Sequence, residues 1–263
     1  SQFISGLLFA LPIVKEDSRI VFKSPLSSSD YVLLTMDVLK QFGIKIHHEK
    51  NGFSIPGNQI YQPQNVSVEG DFSQAAFWFV SGIIGNDIKL YKLNPQSIQG
   101  DFAIVEIIQS MGGHIYFDSD KHCYEVKPSR THGTVIDLDR IPDLGPILMV
   151  LAALSEGETT FTSIDRLRLK ESDRVEAMYQ ALSILGVDII VTHHDMKIKG
   201  AQSLKGHVVV DGARDHRIVM ALAIAAQRAH GPVTITHTEA IEKSYPTFFK
   251  DYLKLGGQMD ESE

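Results

Sequence analysis

The strongest constraint on this chain is an internal repeat with a period of 72 residues. Asp71, Asp143 and Asp215 are separated by that interval. Each follows an extended, β-branched run (residues 65–69, 134–138 and 207–210) and precedes an apolar segment rich in small residues, which reads as strand, turn, helix. Gln99, Glu171 and Lys243 keep the same interval, and each is expected to open a second helix. The apolar residues of these segments fall at helical spacing: Ile104, Ile107, Ile108 and Met111 in one, Val175, Met178, Leu182 and Leu185 in another. Gly43, Gly112, Gly186 and Gly256 are expected to close the second helices, because a residue without Cβ adopts the left-handed C-cap at least cost. After the first three come paired alternating runs joined by polar turns, 44–48 with 53–55, 114–117 with 123–126 and 187–192 with 196–198, which read as hairpins.

Each unit is therefore βαβαββ, and the fold class is α/β (α+β) with tandem copies of one unit. Such copies suit sheets that face outward and helices that pack inward, with the first helices (75–84, 147–154 and 218–226) the most buried. A generic single-sheet α/β layer is the alternative. The polar, proline-containing stretch at 56–64 is the expected boundary: residues 1–62 hold one incomplete unit and residues 63–263 three units, the last without its hairpin. Ser1-Gln2 stands one period before Ser73-Gln74, so the chain is expected to open partway through a unit whose leading strand lies upstream.

Composition narrows the function. With 43% apolar residues the chain can bury a real core. Its 25 basic against 32 acidic residues, net −7, argue against affinity for nucleic acid through a positive surface, so any anionic ligand must meet a local basic patch. The single cysteine, Cys123, excludes a disulfide scaffold and points to a reducing, cytoplasmic setting. The longest apolar stretch, 3–14, is broken by Ser5 and Pro12, so no membrane partner is expected.

Departures from the repeat point to chemistry. Arg166-Leu167-Arg168-Leu169-Lys170-Glu171-Ser172-Asp173-Arg174 puts four cations beside one helix start, and Asp215-His216-Arg217 places another at the next. Helix starts already carry partial positive charge, so cations there are unfavourable unless an anion joins them. Taken singly, each has a plain alternative: a solvated charged turn, an Asp143 or Asp215 that merely caps its helix, a surface Lys243. Jointly, in a quasi-symmetric array, Asp143, Glu171, Arg174, Arg217 and Lys243 are expected to line one cleft, with carboxylates for proton transfer and cations for an anionic substrate.

The strings 167–174, Ile141-Pro142-Asp143, Asp215-His216-Arg217 and Lys243-Ser244-Tyr245-Pro246, together with Glu69-Gly70-Asp71-Phe72-Ser73 and Gln99-Gly100-Asp101, closely resemble the EPSP synthases (3-phosphoshikimate 1-carboxyvinyltransferases) over essentially the whole chain. The resemblance implies the enolpyruvyl transferase fold, an inside-out α/β barrel-like arrangement of βαβαββ units, here a partial first domain plus most of a second. It implies transfer of the enolpyruvyl group of phosphoenolpyruvate to the 5-hydroxyl of shikimate 3-phosphate, through a tetrahedral intermediate and with release of phosphate, in the shikimate pathway of aromatic amino acid biosynthesis. It implies no metal and no organic cofactor, and a monomeric enzyme. By the same resemblance Asp143 is a candidate base, and Glu171 and Lys243 share proton traffic at the methylene carbon and the transferred oxygens, the division between them left open. Arg174 and Arg217, with His216, are implied to grip phosphoenolpyruvate; Ser1, Gln2, Ser28, Tyr31 and Lys170 to hold shikimate 3-phosphate. Arg166 stands where some members carry an asparagine that contacts the shikimate ligand. Family motifs upstream of Ser1 are absent, so the chain alone is expected to be inactive.

The rivals are the sister enolpyruvyl transferase acting on UDP-N-acetylglucosamine and a non-catalytic βαβαββ binding module. The Lys-Glu-Ser-Asp-Arg string speaks against the first and the acidic balance against the second. A metal site at His47-His48 or His193-His194 is disfavoured, because adjacent residues on a strand point to opposite faces.

Overall fold

A computed structural model describes residues 2–24, 26, 29–201 and 203–260. The chain divides into two compact units: the described residues up to Glu69 with Gln96–Phe102, and Gly70–Pro95 with the chain from Ala103 onward.

In the first unit, α1 (Gln2–Ala10) precedes β1 (Ser18–Val21), α2 (Ser29–Gln41), β2 (His47–Glu49) and β3 (Gly52–Ile55). Both β1 and β2 pair antiparallel with β3, giving the order β1-β3-β2. Apolar faces of the two helices and β3 meet in a core of Leu8, Val32, Leu39, Ile44, Phe53 and Ile55. Phe22 packs edge-on to Phe53 with ring centroids 5.3 Å apart. The hairpin expected over 44–55 is thus present, beginning at His47 rather than Ile44.

The second unit runs α3 (Phe72–Ile84), β4 (Ile88–Tyr91), α4 (Ala103–Ser110), β5 (His114–Asp118), β6 (Cys123–Lys127), β7 (Val135–Asp137), α5 (Gly145–Ala153), β8 (Glu158–Thr162), α6 (Arg174–Ile184), β9 (Asp188–Val191), β10 (Met196–Lys199), β11 (Val208–Asp211), α7 (His216–Ala226), β12 (Val233–Thr236) and α8 (Phe248–Lys254). The repeat is complete in the third copy, where β7 pairs parallel with β8 and the hairpin adds on as β7-β8-β10-β9. The second copy keeps β4-β6-β5, and the fourth has only the parallel pair β11-β12. An open hollow lined by Val233, Ile235, Phe249 and Tyr252 lies beside β12.

The helices do pack inward. All nine residues of α5 are buried, as are His216–Ala225 of α7 and nearly all of α3, and these three helices pack on one another. Burial of an apolar side chain on this scale contributes about 1.5–3 kcal/mol each. Their composition explains the arrangement, since a helix that is apolar all round cannot face water. The four expected closing glycines all have positive φ, +79° at Gly43, +93° at Gly112, +90° at Gly186 and +94° at Gly256.

Two expectations are corrected. Residues 65–69 form no strand: residues 65–68 are all exposed, so neither face is buried, and β-branched composition without a pairing neighbour does not make a strand. None of the three opens its α-helix: Gln99 and Glu171 stand in the segments before α4 and α6, and Lys243 is the last residue of the 3₁₀ helix Thr238–Lys243 that precedes α8. Asp173 is the N-cap of α6, accepting from Glu176 N at 3.0 Å, and Pro246 delays α8 because the residue before a proline avoids helical backbone. Among the described residues no helix is long and apolar enough to cross a membrane.

Candidate functional site

The three aspartates of the 72-residue register do different work. Asp71 caps α3, accepting from Ser73 N at 2.8 Å. Asp215 caps α7, accepting from Arg217 N at 2.9 Å. Asp143 does not cap α5: it lies in a 3₁₀ turn, Pro142–Leu144, and α5 begins Gly145-Pro146, where proline has no N–H to satisfy. The capping role, the simplest reading of Asp143 from sequence, is therefore replaced. Its carboxylate is turned to cations, with Oδ1 2.8 Å from Arg174 Nη1, 3.0 Å from Lys170 Nζ and 3.6 Å from Arg217 Nε.

Arg174, the first residue of α6, is the hub. Its side chain is 1% exposed and it donates from Nε to Asp215 Oδ2 at 2.8 Å and from Nη2 to Glu171 Oε2 at 2.7 Å, besides Asp143. Glu171 also pairs through Oε1 with Lys243 Nζ. Ser172 Oγ donates to Asp215 Oδ2 at 3.1 Å, and Arg217 Nη1 to the Asp143 carbonyl at 3.4 Å. His216 is buried, with Nδ1 3.8 Å from Asp215 Oδ1 and no hydrogen-bond partner for that nitrogen among the described residues. Asp143, Lys170, Glu171, Arg174, His216, Arg217 and Lys243 thus form one connected cluster.

Its electrostatics follow from that geometry. Burial by itself would raise the Asp143 pKa, but the charges of Arg217, Lys170 and Arg174 hold the carboxyl far below its ordinary range. Burial likewise opposes ionisation of Glu171, and the hydrogen bond from Lys243 with the charge of Arg174 pushes its pKa down to about 2. Burial would lower the Arg174 pKa, yet Asp215 and Asp143 raise it. Burial and the Arg217 charge depress His216, which keeps the imidazole neutral near pH 7. The result is three carboxylates (Asp143, Glu171 and Asp215), four cations and a neutral imidazole gathered around the starts of α6 and α7: acceptors for a hydroxyl proton beside charges suited to an anion.

Two features differ from a simple reading of the motifs. The Arg174 guanidinium, implied by resemblance to grip a substrate, is enclosed by three carboxylates. Asp215, read only as a cap, carries both the cap and the Arg174 ion pair; its place in the register of Asp143 was the signal for it. Gln2 opens α1 and Tyr31 is on α2, both exposed, in the first unit. Ser1 and Ser28 lie outside the described residues. Arg166 donates from Nη1 to the Asp139 carbonyl at 2.6 Å. Glu69, in another of the motif strings, accepts from Ser97 Oγ and Gln99 Nε2, each at 2.8 Å.

Inward helices, repeated βαβαββ units and an acid–cation cluster at helix starts define the enolpyruvyl transferase fold. The enolpyruvyl transferase NikO from Streptomyces tendae has the same fold, with a TM-score of 0.75 over 95% of this chain and 58% of its own, at 15% identity. An EPSP synthase structure from Acinetobacter baumannii matches all of this chain and 62% of its own with a TM-score of 0.86 at 28% identity. The 3-phosphoshikimate 1-carboxyvinyltransferase of Clostridium novyi (strain NT) is 46% identical over 262 residues, 99% of this chain and 60% of the relative. The family model described as EPSP synthase (3-phosphoshikimate 1-carboxyvinyltransferase) matches residues 1–252, and the chain belongs to that family. It spans about three fifths of the length of the curated relatives it matches.

Proposed function

We propose that this chain carries the acid–base and cationic half of a 3-phosphoshikimate 1-carboxyvinyltransferase, which joins the 5-hydroxyl of shikimate 3-phosphate to the enolpyruvyl group of phosphoenolpyruvate and releases phosphate. The observation that carries this reading is the convergence of Asp143, Glu171 and Lys243 around the Arg174 hub. Addition of a hydroxyl to the enol phosphate of phosphoenolpyruvate requires a proton taken from oxygen and a proton given to the methylene carbon; elimination of phosphate from the adduct then takes a proton back from the new methyl group and leaves the enol ether. Asp143, ionised among cations, accepts from the attacking hydroxyl. The Glu171–Lys243 pair, an acceptor hydrogen-bonded to a donor, handles the carbon-centred transfers.

Lys170 and Arg217, beside Asp143, supply charge to the phosphate and carboxylate groups of the substrates, with His216 adjacent. Arg174 joins them only if its carboxylate partners shift; otherwise it sets their positions. Gln2, Tyr31, Ser1 and Ser28 belong to the shikimate 3-phosphate contacts on this reading, and residues 1–62 and 63–263 to the first and second domains. The enzyme works as a cytoplasmic monomer without metal or organic cofactor, in aromatic amino acid biosynthesis.

The test is phosphate release from phosphoenolpyruvate and shikimate 3-phosphate. The 263-residue chain alone is expected to have no turnover. Completed with the upstream part that the family implies, it is expected to turn over, and UDP-N-acetylglucosamine is not expected to replace the shikimate acceptor. In that complete enzyme Glu171→Gln should lower kcat by orders of magnitude with ligand affinity within about tenfold. Unchanged turnover would remove Glu171 from the mechanism.

A further inference from the structure

The sequence disfavours a metal at His193-His194 because strand neighbours diverge, but these residues are not on a strand. β9 ends at Val191 and β10 begins at Met196, which pair across the hairpin. Thr192 and Asp195 close its tip: Thr192 N donates to the Asp195 carbonyl at 2.8 Å, and Asp195 N to Thr192 Oγ1 at 3.0 Å. His193 and His194 are the two residues left at the tip, and there both rings come to one side, with centroids 4.4 Å apart. His47 and His48, by contrast, do lie on a strand, β2.

A third ligand arrives from the start of the 3₁₀ helix Ile164–Leu169. Ile164 N donates to the His194 carbonyl at 3.2 Å, which ties that helix to the hairpin tip, and the Ile164 side chain is fully buried. The next residue, Asp165, presents both carboxylate oxygens to His194 Nδ1, at 2.9 and 3.0 Å. One ligand atom from each of Asp165, His193 and His194 can be chosen so that all lie within 4.8 Å of one another, and all three residues are exposed. Neighbouring ligands around one ion with bonds of about 2.0–2.1 Å are separated by about 2.9–3.3 Å, so the Asp165–His194 spacing already suits a shared ion.

We propose that Asp165, His193 and His194 bind a divalent transition-metal ion of the zinc, nickel or copper type at the β9–β10 hairpin tip, with water completing its shell. Two imidazoles and one carboxylate favour these ions over magnesium or calcium, which take oxygen ligands. Binding through His194 Nδ1 uses the neutral imidazole with its proton on Nε2, so the ion takes the place of the hydrogen bond between Nδ1 and Asp165. The ion cross-links the hairpin tip to the 3₁₀ helix leading to Lys170 and shares no residue with the cluster around Arg174.

The test is isothermal titration of the metal-free 263-residue chain with zinc chloride, then with magnesium chloride. One zinc site is expected that weakens at least tenfold in His194→Ala and in Asp165→Asn, with no magnesium binding. A His193→Ala/His194→Ala double variant that binds zinc with unchanged stoichiometry and affinity would overturn the proposal. Should a variant fail to fold, zinc titration of the wild-type chain by NMR decides. Imidazole shifts confined to His193 and His194 among the 11 histidines support the site, and shifts confined to other histidines overturn it.

Discussion

Arg174 Nε lies 2.8 Å from Asp215 Oδ2, with side chains 1% and 0% exposed, so a guanidinium at the start of α6 is sealed against the carboxylate that caps α7. Two consecutive repeats are joined at their helix starts by a charge pair from which water is excluded. Removing one partner strands the other, and that asymmetry decides the size of the mutational effect more than the strength of the pair itself.

Arg174→Ala should therefore destabilise the chain by about 3–5 kcal/mol, leaving Asp215 and Asp143 without their shared donor. Arg174→Lys should recover little, because one ammonium cannot reproduce the planar fork that meets three carboxylates. Urea unfolding monitored by circular dichroism measures both; a lysine variant as stable as wild type would show that the fork geometry is unimportant.

Asp71 and Asp143 occupy the same register but should respond differently to amidation. Asp71→Asn keeps a capping oxygen and should change stability by only a few tenths of a kcal/mol. Asp143→Asn withdraws a charge from Lys170, Arg174 and Arg217, and should cost about 1.5–3 kcal/mol. Equal effects in thermal unfolding would mean that Asp143 acts as a cap after all.

The depressed pKa of Glu171 makes its contribution pH-dependent. A carboxyl whose folded pKa lies below its unfolded value stabilises the fold fully above the unfolded value, and loses that contribution as pH falls through the folded one. For Glu171 the window runs from the ordinary 4.5 down to about 2. The stability difference between wild type and Glu171→Gln should be largest near neutral pH and shrink as pH drops below about 4. A difference that stays constant from neutral to acid pH would contradict the ion-pair geometry.

Leu148, in the middle of the wholly buried α5, tests the inward-helix arrangement. Leu148→Ala should cost about 2–5 kcal/mol, the combined loss of transfer energy and of filled volume. On a helix lying at the surface the same change would fall within about 0.5 kcal/mol, and calorimetry separates the two outcomes.

Much of the fold was legible because its signals are local. The closing glycines need only their own backbone geometry, and the hairpins only a period of two between polar turns. The apolar character of residues 147–153 already demanded a buried helix, whichever neighbours supplied the burial. The failures were equally specific. Residues 65–69 have strand composition without a ladder, and His193-His194 look like strand neighbours until the tip that holds them is seen.

The chain's sequence alone determined the repeat, the order of its helical segments and the residue types gathered near their starts, since each follows from spacing within a few residues. Tertiary structure decided which partner each charged group takes. A capping bond reaches two or three residues along the chain, whereas Arg174 reaches Asp143 across 31 positions and Asp215 across 41, and Lys243 reaches Glu171 across 72. An aspartate at a helix start can serve either partner. Only the packing of α5, α6 and α7 brings the distant cations close enough for charge attraction in a dry interior to settle the choice.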